Sequence, residues 1–109
     1  MDMVVKRFEV WHVNLEPTVG SEINKIRPCL IISPDTTNQF LNTVTIAALT
    51  STRKRFPTRV NCLFNAREGQ VALDQIRSVD KRRLLNRIGE LDVATAKEVC
   101  QKLQELFAY

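Results

Sequence analysis

Arg27 is the residue in this sequence that is best suited to chemistry on a phosphate group. It lies between a polar segment and an apolar run, and the following Pro28 restricts its backbone to extended conformations. A guanidinium is planar, keeps its positive charge and can donate two parallel hydrogen bonds to phosphate oxygens. From the residue alone, a phosphate contact and an ordinary surface salt bridge are equally open.

The other residue types that commonly carry catalysis are poorly represented. His12 is the only histidine, and it lies between Trp11 and Val13 in a strand-like run, so a packing or hydrogen-bonding role is favoured. A ribonuclease that uses two histidines is excluded. The three glycines form no phosphate-binding loop, and no His, Cys or Asp residues have the spacing of metal ligands. We therefore expect neither a metal site nor a cofactor.

The positive charge of the chain is concentrated in its middle. The net charge is +4, but residues 51–89 contain ten Lys or Arg against three Asp or Glu, a balance of +7. The flanking segments 1–50 and 90–109 are slightly acidic, with four against five and two against four. Such a block is typical of a surface that binds a polyanion or an acidic protein, although a solvated basic face is the equally open alternative.

Length and composition indicate one folded domain over residues 1–109. The chain is 44% hydrophobic and 26% charged, which is ordinary for a globular protein. It has no apolar run of roughly 20 residues, and its first residues do not resemble a signal peptide, so a cytoplasmic location is expected. Cys29, Cys62 and Cys100 are an odd number and far apart, and we interpret them as small buried hydrophobic residues.

The alternation and β-branched content of the chain predict six short strands. They are Arg7–Leu15, Pro28–Ser33, Thr43–Thr50, Thr58–Phe64, Gln70–Asp74 and Leu85–Leu91. In the second strand the continuous apolar run predicts burial on both faces. In the fourth, the period of two predicts that Thr58, Val60, Cys62 and Phe64 point inward. Residues 17–26 are predicted to be a mobile loop that is short of apolar anchors, and residues 35–42 a simple connection.

The end of the chain predicts a helix capped by Asp92. Its apolar residues recur at helical spacing and should face the sheet. They are Ala96, Val99, Cys100, Leu103, Leu106 and Phe107. Asp80–Arg83 has the character of one capped helical turn. The fold class expected from these elements is α+β, a small SH3-like antiparallel β-barrel with a C-terminal α-helix.

Several motifs in fixed order resemble the MazF/PemK toxin family, whose small barrel is shared by the CcdB type. Gly20-Ser21-Glu22 is followed by Arg27-Pro28 and an apolar strand that leads to Ser33-Pro34 and Asn38. Further along come Thr50-Ser51, Phe56-Pro57 and the segment 71–80, which resembles the second signature of the family. Each dipeptide alone is weak, but their order and spacing are specific, and the resemblance covers nearly the whole chain.

The resemblance implies a type II toxin that acts as an mRNA interferase. Such a toxin is a homodimer that cuts single-stranded RNA at a short preferred sequence without a metal ion, leaves 2′,3′-cyclic phosphate and 5′-OH ends, and is inhibited by an acidic antitoxin protein. It also implies Arg27 and Thr50 as catalytic residues, with Glu22 as a lesser candidate. The RNA-binding residues expected from the resemblance and from charge are Ser21, Lys25, Ser51, Arg53, Lys54, Asp74, Gln75 and Arg77. Which basic residues would contact RNA and which the antitoxin stays open.

Two departures from the family pattern bear on the mechanism. Some relatives have an arginine credited as the acid where this chain has Ala72, and a histidine where it has Ser21. These differences favour the Arg27 and Thr50 version over one based on an Asp/Arg pair. A gyrase-binding toxin of the CcdB type without nuclease activity remains the main alternative. A catalytically inert RNA-binding module is disfavoured, because one Trp, one Tyr and five Phe are few for a stacking platform.

Overall fold

The chain forms six strands, two α-helices and one 3-10 turn in a computed structural model, which describes residues 3–109. The strands are β1 (Glu9–Asn14), β2 (Ile26–Ile31), β3 (Thr43–Thr50), β4 (Arg59–Phe64), β5 (Arg67–Asp80) and β6 (Leu84–Glu90). The helices are α1 (Asp35–Phe40) and α2 (Val93–Phe107), and the 3-10 turn covers Lys81–Arg83. Within residues 3–109, no helix combines the length and the apolar character needed to span a bilayer.

All six strands belong to one curled antiparallel sheet in the order β4-β5-β3-β2-β1-β6. β4 and β6 are therefore the edge strands, and the sheet is a half-barrel. The six strands, the antiparallel pairing and the C-terminal helix confirm the α+β class expected from the sequence. β3 begins and ends at the predicted residues, because its β-branched run is bounded by polar residues on both sides.

Two apolar cores occupy the two faces of the sheet. One lies under α2 and contains Val10, Leu30 and Val99, which are fully buried. The other lies on the opposite face and contains Trp11, Cys29, Ile31, Ile46 and Ala48 among its members. Consecutive residues of β2 point to different cores, and this confirms the predicted burial of that strand on both faces.

α2 begins as predicted, because the Asp92 carboxylate accepts a hydrogen bond from the Thr95 amide at 3.0 Å. Ala96 and Val99 are buried, and Leu103 and Leu106 pack partly against the same core. The inward position expected of Phe107 is wrong, since that side chain is 75% exposed. As the last residue of α2, it lies about 16 Å further along the helix than Ala96, which points in nearly the same direction.

Three differences from the sequence prediction bear on the shape of the site. Residues 35–40 form α1 instead of a plain connection, because Asn38 is buried and exchanges hydrogen bonds with Ser33, which fixes the turn after β2. β5 continues beyond the predicted end at Asp74 to Asp80, since it resumes pairing with β3. β2 begins at Ile26, so that Arg27 lies within the strand.

The three cysteines are free thiols in different surroundings. Burial raises the pKa of the Cys29 thiol to about 12 and also raises the pKa of Cys62, as expected of packed hydrophobic residues. Cys100 is only half-buried, and its Sγ lies 3.5 Å from an Arg7 guanidinium nitrogen. The prediction of burial is therefore wrong for Cys100, which lies on the border of the helical stripe.

The two edge strands meet through one aromatic contact. The ring of Phe64 at the end of β4 packs against Gly89 in β6, where a Cβ atom would lie 2.9 Å from the ring carbon Cζ. Gly89 also has a φ of +154°, a conformation that other residues rarely adopt. Glycine is therefore required at this contact for both packing and backbone reasons.

Substitution of Gly89 by Ala should destabilise the fold. The added methyl group displaces the Phe64 ring and strains the backbone, so we expect the free energy of unfolding to fall by about 1 to 3 kcal/mol. Urea denaturation of the wild type, Gly89→Ala, Phe64→Leu and the double variant measures this effect. An equal loss from Gly89→Ala in the wild-type and Phe64→Leu backgrounds would contradict the proposed ring contact.

Candidate active site

Arg27 and Thr50 come together across neighbouring strands. The recorded pairing of β2 with β3 ends at Cys29 opposite Ala48, and the same register two residues further places Arg27 opposite Thr50. Alternate residues of a strand share a face, so both side chains lie on the face that carries Cys29 and Ala48. The sheet thus sets a guanidinium beside a hydroxyl at the ends of two strands.

The Arg27 side chain is exposed and makes one hydrogen bond with the described residues 3–109. Its Nε donates to the Asn24 carbonyl oxygen at 3.1 Å. This hydrogen bond orients the side chain and uses one edge of the guanidinium. Among residues 3–109, no carboxylate forms a salt bridge with it. Both terminal nitrogens can therefore donate to an external anion, and the salt-bridge alternative has no partner in the described part of the chain.

The Thr50 hydroxyl is oriented by the backbone that follows it. Its Oγ1 accepts a hydrogen bond from the Thr52 amide at 3.1 Å. A hydroxyl that accepts in this way retains its own proton for donation. Thr50 is half-buried, and it can donate to a group that Arg27 also contacts.

A break in strand pairing opens a cleft beside this pair. Ala47 pairs with Ile76 and Leu49 pairs with Val71, so that four residues of β5, 72–75, lie opposite the single residue Ala48 of β3. The segment bends away from β3 and borders a cleft of about 330 Å³. The cleft brings together five of the predicted site residues, which are Ser21, Glu22, Asp74, Gln75 and Arg77.

The loop between β1 and β2 is anchored to this cleft. Ile23 packs against the core, and its amide donates to Gln75 Oε1 at 3.2 Å. The loop is short of apolar anchors, as the sequence indicates, but the isolated Ile23 reaches the sheet and serves as one. Glu22 closes a turn in the loop by accepting the Val19 amide at 2.5 Å through Oε1, and the contacts within the protein leave Oε2 as an acceptor.

The basic segment after β3 is held by a residue that sequence reasoning missed. Gln70 is 5% exposed, and its side-chain amide both accepts from the Lys54 amide and donates to the Lys54 carbonyl, each at 3.0 Å. Arg53 pairs with Glu68 at 3.0 Å on the exposed surface, and Ser51 is exposed beside it. A lone glutamine in a strand carries no signal of this role, because the partner lies 16 residues away.

Asp74 is held by a second residue that the sequence did not reveal. Arg59, the first residue of β4, donates from Nε and Nη2 to the two carboxylate oxygens at 2.7 and 3.1 Å. This guanidinium lowers the pKa of the Asp74 carboxyl, with smaller help from Thr58. The placement of Asp74 at a strand end is wrong, since it lies in the bend within β5.

The remaining predicted residues lie around the same face. Arg77 donates to the Leu15 carbonyl at 3.0 Å, and the positive charges of Arg77 and Arg27 both act to lower the pKa of the Cys29 thiol against the larger effect of burial. Lys25 has a φ of +66°, and its side chain is exposed. His12 lies 3.3 Å from Asn86 Oδ1, in agreement with a hydrogen-bonding role.

No metal centre is formed by the protein groups described. Among residues 3–109, no three His, Cys, Asp or Glu side chains come close enough together to act as ligands of one ion. The groups that the site presents are guanidinium and hydroxyl donors on one side and amide and carboxylate acceptors on the other. This arrangement can hold a phosphodiester and contact the edges of its bases.

The Asp74 ion pair should make stability depend on pH in the acid range. A carboxyl whose pKa is lowered in the folded state stabilises the fold above its ordinary value, 3.8, and that contribution is lost as the pH falls through the lowered value. We expect Asp74→Asn to melt below the wild type at pH 7, with the difference shrinking as the pH falls below 3.8. Thermal melts over this range measure it, with the exposed Glu105→Gln as a control, and a constant difference would contradict the ion pair.

Comparison with known proteins agrees with this geometry. A family model described as "PemK-like, MazF-like toxin of type II toxin-antitoxin system" matches residues 6–107. Endoribonuclease EndoA of Bacillus subtilis is 37% identical over 108 residues, which cover 94% of this chain and 93% of the relative. Endoribonuclease MazF of Staphylococcus saprophyticus is 34% identical over 102 residues, or 88% and 85% of the two chains.

Solved structures show the same architecture. MazF from Deinococcus radiodurans is similar with a TM-score of 0.86 and 28% identity, over 99% of this chain and 100% of that one. An endoribonuclease in complex with its cognate antitoxin, from a mycobacterial species, has a TM-score of 0.79 at 26% identity, over 93% and 92% of the chains. On these matches in sequence and fold, the chain belongs to the PemK-like, MazF-like toxin family of type II toxin–antitoxin systems.

Proposed function

We propose that this chain cleaves single-stranded mRNA at a short preferred sequence, without a metal ion, as the toxin of a type II toxin–antitoxin pair. Family membership and the two named endoribonuclease relatives assign the enzyme class, endoribonuclease. The observation that carries the proposal is the exposed guanidinium of Arg27, which has no carboxylate partner among residues 3–109. By the register of β2 on β3 it shares a sheet face with Thr50 and with Ala48, and Ala48 lines the cleft.

The chemistry follows from the groups that this pair presents. The ribose 2′-OH attacks the adjacent phosphorus, an O2′–P bond forms and the P–O5′ bond breaks, which gives a 2′,3′-cyclic phosphate and a 5′-OH. One proton leaves O2′ and one is taken up by O5′, so the reaction is balanced without a cofactor. A crowded phosphorane with extra negative charge forms between the starting diester and the products. Arg27 and Thr50 stabilise that charge.

Proton transfer is assigned by what each group can do at neutral pH. The pKa of an arginine side chain is too high for Arg27 to accept the proton that leaves O2′, so that proton passes to water and the main task of Arg27 is electrostatic. Late in the reaction Arg27 donates a proton to O5′ and regains one from water. Glu22 has a carboxylate oxygen that is not used within its turn, and it lines the same cleft. We assign it to orient the 2′-OH or to accept a base amino group.

The cleft supplies the sequence preference. Gln75 and Asp74 present amide and carboxylate groups to unstacked bases, while Lys25, Arg53, Lys54 and Arg77 provide positive charge along the phosphate chain. Ser21 and Ser51 are exposed hydroxyls at the two ends of this surface.

We also propose the assembly that the family resemblance implies. The chain acts as a homodimer in the cytoplasm and is neutralised by an acidic antitoxin that covers part of its basic surface. In support, MazF–MazE and endoribonuclease–antitoxin complexes occur among the similar structures. The balance of +7 over residues 51–89 suits an acidic partner.

The gyrase-binding alternative shares the small barrel and differs in chemistry. A toxin without nuclease activity has no use for an exposed, unpaired guanidinium beside a donor hydroxyl, and the curated relatives are named as endoribonucleases. The alternative is therefore not favoured.

Purified protein incubated with a long single-stranded RNA in EDTA should produce discrete fragments. We expect 5′-OH ends and terminal 2′,3′-cyclic phosphates, identified by kinase labelling without prior phosphatase treatment and by mass spectrometry of the 3′ ends. A double-stranded form of the same RNA is the control and should remain uncut. Intact single-stranded RNA, or cleavage that requires added Mg²⁺, would overturn the proposal.

Arg27→Ala should abolish cleavage, whereas Thr50→Ala should reduce it less. Loss of the guanidinium removes a charged donor from the transition state, and loss of the hydroxyl removes one neutral donor; the latter is worth roughly a hundredfold. Rates on one RNA, together with sedimentation to check assembly, measure both variants. Lys97→Ala in α2 is the matched control for loss of one exposed cation. Activity of Arg27→Ala near that of the wild type would show that another residue carries the reaction.

A further inference from the structure

Arg59 is a charged side chain almost sealed from water, on a strand position where alternation predicts exposure. Its side chain is 6% exposed, whereas the neighbours Val60 and Cys62 supply the expected inward face of β4. The bend of β5 covers Arg59, because Asp74 leaves the β3 side of the sheet and folds over the start of β4. The sequence pattern therefore assigned this residue to solvent although it lies under the proposed base-reading segment.

Two side chains, Arg59 and Thr58, hold the Asp74 carboxylate in place. The guanidinium holds both carboxylate oxygens at 2.7 and 3.1 Å, and the Thr58 hydroxyl donates to Oδ1 at 3.1 Å. The same guanidinium lies 5.9 Å from the ring centre of Phe56, beneath the basic segment. Arg59 thus joins the bend of β5 to the segment that follows β3.

Stability alone is a weak reason for this arrangement. The Nη1 atom of Arg59 is buried and has no hydrogen-bond partner among the described residues, which costs free energy. Buried ion pairs can often be replaced by apolar residues without loss of stability. What an apolar pair cannot supply is a carboxylate held in one orientation at the wall of the cleft.

The hydrogen bonds already made leave a defined acceptor on Asp74. Oδ1 accepts from Arg59 and Thr58, while Oδ2 accepts from Arg59 alone among the side chains of residues 3–109. Each carboxylate oxygen has two lone pairs, so Oδ2 retains a place for one more donor. Asp74 lines the cleft together with Gln75, Ser21 and Glu22, so a molecule bound there can replace water as that donor.

We propose that Arg59 is a positioning residue for base selection, which fixes the Asp74 carboxylate so that Oδ2 accepts a hydrogen bond from the exocyclic amino group of one RNA base. The inference rests on the proposed endoribonuclease function. Adenine, cytosine and guanine carry such a group. Uracil carries carbonyl oxygens on both sides of its single N–H, and the carboxylate repels them. The position read by Asp74 therefore selects against uracil.

The test is the nucleotide distribution around the cleavage sites of the full chain. A randomised single-stranded RNA is cut in EDTA, and the 5′-OH ends are sequenced for the wild type, Arg59→Lys, Asp74→Asn and the double variant. In the wild type, one position near the cut should be depleted of uracil about tenfold, as expected for one charge-assisted hydrogen bond. Arg59→Lys keeps the positive charge but loses the two parallel N–H donors that hold both carboxylate oxygens. The depletion of uracil should therefore largely vanish at that position alone.

Asp74→Asn gives a result that a purely structural role would not produce. Arg59 orients the amide oxygen toward itself, so the amide NH₂ replaces Oδ2 and the preference shifts toward uracil, which offers acceptors. Because Arg59 acts through Asp74, adding Arg59→Lys to Asp74→Asn should change the distribution far less than Arg59→Lys does in the wild type. KM for a preferred RNA should rise in each single variant, with kcat near the wild-type value.

The controls separate this inference from the proposed function. Arg82→Lys alters a comparable Arg–Asp fork on the exposed surface, 3.0 Å from Asp80, and should leave the distribution unchanged. If the wild type cuts no RNA, the proposed function and this inference fail together. If it cuts and both single variants keep the wild-type distribution, only this inference is overturned. Should Arg59→Lys fail to fold, an unchanged profile for Asp74→Asn is sufficient to overturn it.

Discussion

The site depends on one irregularity, the stretch of β5 that loses its pairing with β3 opposite Ala48. A continuous ladder would carry residues 72–75 flat across the sheet and leave no recess for a ligand. The extra residues are accommodated because β4 continues to pair with β5 at Arg59 and Ala72, so the bend keeps support on one side. The backbone register therefore forms the recess, and the side chains that line it determine which chemical groups it presents.

Two arginines near the recess, Arg27 and Arg59, are held in different ways and therefore have different roles. Arg27 is anchored through a single nitrogen and keeps the rest of its donors exposed, whereas Arg59 uses its fork entirely inside the protein. The same residue type thus serves as a free cation in one strand and as an internal clamp in another. Burial decides between the two roles, because an enclosed guanidinium needs a carboxylate and an exposed one does not.

The sequence predicted well what depends on local pattern and residue type. The bounds of β3 and the capped start of α2 follow from a β-branched run and from an N-cap residue. It failed where two distant segments determine the outcome. The contact of Arg59 with Asp74 spans 15 residues and needs the register of β4 on β5, and the anchoring of Ile23 spans 52. Neither contact produces a periodic pattern in the sequence.

The contact of Phe64 with Gly89 joins the two edges of the half-barrel by packing and not by a strand ladder. A hydrogen-bonded ladder tolerates only discrete shifts of register, since each intermediate position leaves backbone groups unsatisfied. The aromatic ring has no such register to keep, but it needs the space that a bare backbone leaves, because a Cβ atom at position 89 would lie 2.9 Å from its Cζ. The distance between the two edges is therefore set at this point by the size of one side chain and the absence of another.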